Sequence, residues 1–432
     1  MKSIARTKHR NQVWFYLYYI ALMLVLTSWR STTDAPALPL RLGFLVAVVM
    51  PLFLSKETWL PAVITLFKTF TEYGFAYSYM PTMYYFYIAI VFVGLFFLYK
   101  KNHVEVPPVM ITLLLFVFVV DLLHGSLLRN SHYSIFIILA FCLFTDRNDD
   151  GATEKMELAF AVCTLVLSVF FFVMRDQFTQ SYMHTVDLER MGWIDPNYFG
   201  MVLGMGTISS ILALYRRENW KRYEKVVYIA TIGISAIVLI LNASRGALLS
   251  TVLAASVAIM FSKAKMFYKL AIVLAIVGVA MLALRSGYFD LLVYRIQNDE
   301  LGGSGRVDIW MAKLGAFSRE GIIQWVLGVG GEGMGFEGSD HYVSSHNDYI
   351  AFLVGYGIVG LCLFVSVVLY PLRSVTRGVK INGWFYVLVP TVYVMTNALT
   401  LEPLNQGRLP YWCFYYYMII LASELKQKAV WS

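Results

Sequence analysis

The sequence predicts an all-α integral membrane protein of about 12–14 transmembrane helices. Three observations lead there. Of the 432 residues 59% are hydrophobic, only 14% are charged, and mean hydropathy is +0.63. Apolar runs of roughly 18 residues, close to the length that crosses hydrocarbon as a helix, recur from one end of the chain to the other. Lipid offers backbone amides no partners, so repeated runs of this kind imply a helical bundle. The chain therefore reads as one polytopic domain, 1–432, with no soluble domain.

Met1 to Arg10 is basic and no small-residue cleavage site follows the first apolar run, so that run, 12–29, is expected to stay as a signal-anchor. Further spans are expected at 36–54, 58–72, 81–99, 107–124, 133–145, 156–174, 197–215, 226–242, 247–262 and 267–284. Spans 58–72 and 133–145 are short enough to be tilted or re-entrant. After a long loop at 285–344, spans follow at 345–370, 384–400 and 411–424. No tandem repeat, coiled coil or low-complexity tract interrupts the series.

Charge orients the bundle. With the N-terminus in the cytoplasm, the cytoplasmic loops receive Lys2, Arg6, Lys8, Arg10, Lys56, Lys100, Lys101, Arg147, Lys155, Arg216, Arg217, Lys221, Arg222, Lys225, Lys263, Lys265, Lys269, Arg373, Arg377, Lys380, Lys426 and Lys428. These are 22 of the 35 basic residues, the bias expected of cytoplasmic loops. The same distribution argues against nucleic acid as the reason for the net charge of +8. Cys142, Cys163, Cys362 and Cys413 all lie in apolar runs and read as packing residues. No His, Cys and carboxylate set has zinc spacing. Asp146, Asp149 and Asp150 fall on the cytoplasmic side and read as a solvated loop.

Arg175, Arg190, Arg245, Arg285, Arg295, Arg306, Arg319 and Arg408 are left on the outer side, and so is His346. His346 follows Ser344 and Ser345, which can cap a helix starting there. In a first turn the helix dipole favours neutral imidazole, which can accept a hydroxyl proton. An interfacial His bonded to a nearby carbonyl is the alternative. Arg245 sits at a break between two apolar runs, where an arginine faces a polar cavity, an anion, or the interface by snorkelling. Arg306 follows Gly302-Gly303-Ser304-Gly305 and opens an amphipathic stretch to about Phe317; its planar fork suits phosphate oxygens, unless it is a solvated surface residue. Arg190 could pair with Asp187 or Glu189. Gly328 to Gly335 lacks Walker spacing and reads as a flexible lid. Asp121 with His124 is a weaker site candidate, and Glu402 and Arg408 flank the last outer loop, where they could pair.

His346-Asn347, nine residues, Gly357, two residues, Gly360 resembles the His-Asn…Gly-x-x-Gly signature of the O-antigen ligase and O-antigen polymerase superfamily. Arg245-x-x-x-Leu249 resembles its Arg-x-x-x-Leu motif. Gly305-Arg306 through Trp310 resembles the segment that opens the family's large periplasmic loop. The resemblance implies a GT-C-like, metal-independent glycosyltransferase of the bacterial inner membrane, needing no cofactor, with 285–344 as a periplasmic loop and the active site facing the periplasm. Its donor would be a glycan on undecaprenyl diphosphate, and its acceptor a hydroxyl of a glycan or of lipid A-core. Membrane lipids and a chain-length regulator are the other expected partners.

By the same resemblance His346 would activate the acceptor. Arg245, Arg306 and, more weakly, Arg190 would hold the diphosphate. Asn347, Tyr349, Asp195 and Asn197 are supporting candidates. The stretch Asp195-Pro196-Asn197-Tyr198-Phe199 looks more like the polymerase branch, while the His and Arg motifs fit ligases equally. A lipid-linked glycan flippase is the rival of another class; it would place charges at mid-span depth, where Lys68 is the chief example. A membrane scaffold would leave the outer arginines unexplained.

Overall fold

The computed structural model describes residues 103–125, 130–145, 151–173, 196–217, 220, 222–242, 244–262, 265, 269, 306–331, 344–376, 383–404 and 408–431, together with Tyr18 and Ala21. The expected spans at 12–29, 36–54, 58–72, 81–99 and 267–284 lie outside the described residues, apart from Tyr18, Ala21 and Lys269. Among the described residues the chain is helical, with no strand.

The helices are α1 (Pro108–Leu123), α2 (Asn130–Phe144), α3 (Ala152–Val173), α4 (Pro196–Arg216), α5 (Arg222–Leu241), α6 (Arg245–Phe261), α7 (Arg306–Phe317), α8 (Ile322–Leu327), α9 (Asp348–Thr376), α10 (Phe385–Thr400) and α11 (Leu409–Trp431). Stretches of α3, α4, α5 and α9 are long and apolar enough to cross a membrane, and α1, α6 and α10 are shorter apolar helices. Each sequence span in the described region coincides with a helix, with α2 and α11 standing over 133–145 and 411–424. The largest differences are at α9 and α11, which run on to residues 376 and 431. The reason is physical. An apolar run marks the hydrocarbon slab, whereas Arg373, Glu424, Lys426 and Lys428 continue the helix beyond it.

Two helices form the interior. Every residue from Tyr411 to Leu421 of α11 is at most 4% exposed. A helix apolar on all sides belongs inside a bundle. Its tyrosines can be buried because each hydroxyl finds a partner: Tyr415 donates to the Val367 carbonyl at 2.6 Å, Tyr417 to Glu157 at 3.2 Å, Tyr411 to the Val394 carbonyl, and Tyr416 meets Thr145. α4 is the second interior helix, packed by α3, α5 and α6. The outward faces of α1, α5 and α6 are apolar, with Leu115, Val226, Ile237 and Leu249 all more than half exposed. Such faces suit lipid.

The starts of α4, α6, α9 and α11 and the ends of α5 and α10 share one end of the bundle, where Ser244 bonds Asn197 and the Asp348 amide bonds the Leu401 carbonyl. The end of α4 and the start of α3 share the other. At 1.5 Å per residue, the 21 residues of α4 separate these ends by about 30 Å.

α9 is broken near its start. Gly357 has φ +65°, a left-handed backbone open to glycine, and an added Cβ would strike the Val326 carbonyl. Beside the break Val329 N–H donates to the Val354 carbonyl (3.1 Å) and Gly330 N–H to that of Gly355 (2.9 Å). Asp121, 1% exposed, accepts from Gly331 N–H at 2.8 Å and from the Tyr356 hydroxyl at 3.3 Å. The expectation of a flexible lid is therefore corrected for Gly328–Gly331: this stretch is clamped onto α9 through backbone bonds. Residues 332–335 lie outside the described residues. Asp121, a weaker site candidate in the sequence, is part of that clamp.

The opposite end holds a buried ion cluster. Glu157, with a fully buried side chain, takes Arg216 through both oxygens at 3.0 Å and Arg217 at 2.7 Å; Arg216 also bonds Glu424 at 2.7 Å. Arg217 lies over the Trp220 and Tyr228 rings. Of the four free cysteines, Cys142, Cys163 and Cys413 are buried in the packing and Cys362 is exposed.

Candidate functional site

Five chain segments meet at the first end of the bundle. They are the starts of α4, α6 and α7, the turn before α9, and residues 400–404 with Arg408. Thr400, the last residue of α10, is where two of them touch. Arg306, the first residue of α7, donates from its guanidinium to the Thr400 carbonyl at 2.8 Å. Gly246, next to Arg245, lies so close that an added Cβ would sit 2.5 Å from Thr400 Oγ1. Only glycine permits that approach, and it brings the start of α6, with Arg245, against the end of α10.

One turn along α7, Trp310 Nε1 donates to the Ser345 carbonyl at 2.7 Å. That bond links the helix of Arg306 to the turn that carries His346. His346 is half-buried and has φ +49°, a left-handed backbone unusual for a residue other than glycine. Such a conformation costs of order 1–3 kcal/mol and persists where the surroundings impose it. The neighbours do impose it. Ser344 Oγ accepts from His346 N–H at 3.3 Å, Ser345 is fully buried with its hydroxyl against Glu402, and Asn347 and Asp348 are both buried.

The sequence assigned the cap of α9 to Ser344 or Ser345. The structure corrects this: Asn347 Oδ1 accepts from Tyr349 N–H (3.0 Å) and Ile350 N–H (3.2 Å). His346 accordingly precedes the helix instead of sitting in its first turn. Asp348 stitches the turn to the neighbouring loop, donating its amide to the Leu401 carbonyl (3.1 Å) and accepting from Leu404 N–H (3.2 Å). The Tyr349 hydroxyl reaches the Met395 carbonyl at 3.2 Å and ties α9 to α10.

On the other flank, Ser244 donates to Asn197 Oδ1 at 3.1 Å, so this serine joins α6 to α4 instead of capping its own helix. Arg408 lies 4.3 Å over the Tyr198 ring, a cation–π contact from the last loop to α4. Arg190 and Asp195 lie outside the described residues. Thus His346, Asn347, Tyr349, Arg306, Arg245 and Asn197 all stand at one end of the bundle. Among the described residues no three His, Cys, Asp or Glu side chains gather into a set that could hold a metal ion.

Lys313 went unread in the sequence as a member of this region, and Glu402 was read only as flanking the last outer loop with Arg408. Lys313, one turn beyond Trp310 on α7, is only 5% exposed. Burial lowers its pKa from the ordinary value, and the nearby Glu402 carboxylate acts in the opposite direction. Glu402 itself is fully buried and is the partner of Ser345. The only available signal was a lone carboxylate at a span mouth, and spacing along the chain could not pair it with residue 345.

Residues 229–365 match the family model described as O-antigen ligase. The match supports the superfamily of O-antigen ligases and polymerases. No curated protein matches the chain. The matched segment runs from α5 into α9 and so contains Arg245, Arg306, His346, Asn347 and Tyr349. Asn197 and Glu402 reach the same region from outside it.

Proposed function

We propose that this protein is a glycosyltransferase that takes a glycan from undecaprenyl diphosphate and adds it to an acceptor hydroxyl at the periplasmic face of the bacterial inner membrane. One observation carries the reading. An imidazole at an imposed backbone geometry and two arginines on separate helices occupy the same end of the bundle, linked through Thr400 and Trp310. The matched family is of membrane glycosyltransferase type.

In this mechanism His346 takes the proton of the acceptor hydroxyl as its oxygen forms the new bond to the anomeric carbon. The bond from that carbon to the diphosphate breaks, and the leaving oxygen keeps the electron pair. Arg306 and Arg245, with Arg190 as a third group, hold the growing negative charge. Charge-assisted bonds of about 1.5–3 kcal/mol each let two or three fixed guanidinium groups carry a large share of that stabilisation. Asn347 holds the turn by capping α9, and Tyr349 and Asn197 fix the helices on either side. Asp195 is a supporting candidate beside Asn197.

The orientation follows from charge. Arg216, Arg217, Lys225, Arg373, Lys426 and Lys428 gather at the far end of the bundle, as expected of a cytoplasmic face. The site end then faces the periplasm. The charged groups of the described helices stand near helix ends, which favours a transferase over a flippase lined by charge at mid-depth.

For the acceptor, polymerization onto the next repeat unit is the first reading, from the Asp195–Phe199 stretch. Ligation to lipid A-core is the second, favoured by the description of the matched family. Purified protein in lipid nanodiscs, given a glycan on undecaprenyl diphosphate and each acceptor in turn, tests both. Extended glycan indicates polymerase, and glycosylated lipid A-core indicates ligase. No product with either overturns the transferase reading. In cells, loss of a polymerase leaves single repeat units on the core, whereas loss of a ligase leaves bare core.

A further inference from the structure

We infer that Glu402 is a positioning residue for His346, acting through the Ser345 hydroxyl. The inference rests on the reading of His346 as the group that faces the acceptor. His346 projects from a turn held on both sides by one loop, 401–404. Before it, the Ser345 hydroxyl meets Glu402 Oε1 and lies 3.0 Å from the Asn347 carbonyl. A hydroxyl has one proton to give, and a carboxylate is the stronger acceptor. After it, the Asp348 amide donates to the Leu401 carbonyl and its carboxylate accepts from Leu404 N–H. The Ser345 carbonyl is taken by Trp310 Nε1. Residue 345 is thereby fixed through both its side chain and its backbone, and the left-handed peptide of His346 has little freedom to relax.

Glu402 is itself held from the far side. Lys313 is buried on the same helix as Trp310, and its ammonium and the carboxylate attract across the gap between α7 and the loop. α7 therefore acts on the turn in two ways: directly through the Trp310 hydrogen bond, and electrostatically through Lys313 and Glu402. Neither Lys313 nor Glu402 is exposed enough to meet a substrate, at 5% and 0%. Their part is to set where the imidazole points.

The test is a mutant cycle in purified full-length protein, read as kcat and KM in the glycan-transfer assay. Ser345→Ala and Glu402→Ala each lower kcat about 10–100-fold and leave KM unchanged, the size of effect expected when a reacting group is misplaced by about 1 Å. The double variant is no slower than the worse single one, because both changes break the same contact. Glu402→Gln, which keeps an acceptor oxygen, recovers most of the rate. Multiplicative losses, unchanged kcat in both single variants, a rise in KM alone, or a Gln variant as slow as the Ala variant each overturn the inference. Should Glu402→Ala fail to fold, Ser345→Ala against Ser345→Thr, which restores the hydroxyl, carries the same test. His346→Ala is run in parallel. Full turnover there sinks the base reading itself, whereas a dead His346→Ala beside normal Ser345 and Glu402 variants sinks only the positioning role.

Discussion

Arginines stand at both ends of this bundle, and their partners differ in kind. At the far end Arg216 and Arg217 are 7% exposed and bonded to Glu157 and Glu424. Each positive charge there is matched by a carboxylate across three helices, and the result is a structural knot. At the site end Arg306 donates to the Thr400 carbonyl, a neutral acceptor, and Arg408 lies on the face of Tyr198. Those contacts orient the cation through a carbonyl oxygen and a ring face. Residue type and depth do not separate the two uses of arginine. These contacts do: carboxylates at the far end, a carbonyl and an aromatic ring at the site end.

The comparison breaks most sharply at His346. His346→Ala is expected to lower glycan transfer by about 10²–10⁴-fold, the range for loss of a general base, while melting temperature and monodispersity in detergent stay near wild type. The mirror experiment is Glu157→Ala at the far end. It leaves two buried guanidinium groups without their shared carboxylate and should cost about 3–5 kcal/mol of stability. A lower melting temperature and reduced yield are expected, with the folded fraction retaining its kcat. Glu157→Ala losing turnover at unchanged stability would mean that the ends are not separate in function.

Much of this organisation is legible in the sequence, because its main terms are one-dimensional. Apolar runs locate α1 to α6 and α9 to α11 within a few residues, and the glycine before Arg306 and the amphipathic pattern after it give α7. The two residues that bracket the site, Arg245 and His346, stand out as polar groups at span mouths. What stays hidden is pairing across sequence distance. Ser345 and Glu402 are 57 residues apart and Asp121 and Gly331 are 210 apart, and no periodicity links them. Local rules also fail where tertiary contacts compete. Ser344 and Ser345 have the right chemistry for a cap, yet Ser345 turns its hydroxyl to Glu402 and the cap falls to Asn347. The same competition removes Ser244 from its helix start in favour of Asn197.

A smaller effect is expected from Arg306→Lys. The ammonium keeps the charge but loses the planar fork that grips two phosphate oxygens at once. A fall of about tenfold in kcat/KM for the diphosphate donor, worth about 1.4 kcal/mol, is expected, with a larger fall for Arg306→Gln. Equal activity of the Lys variant would place Arg306 with the structural arginines of the far end, its fork serving the Thr400 carbonyl alone.

The smallest effect concerns Lys313, a buried amine where the far end uses guanidinium groups. Its pKa is lowered from the ordinary 10.5, first by burial and against the pull of Glu402. The sign follows from proton counting. Between the lowered value and 10.5 the unfolded chain holds the lysine proton more fully than the folded one, so stability rises with pH across that window. Below the window both states carry the charge and the folded state bears the full cost of burying it. Lys313→Met removes the titration, and its unfolding midpoint should lose this rise while the tyrosine-driven alkaline changes common to both proteins remain. Parallel pH profiles for the wild type and Lys313→Met would show that the pull of Glu402 offsets the whole cost of burying the amine, and the lowered pKa would be ruled out.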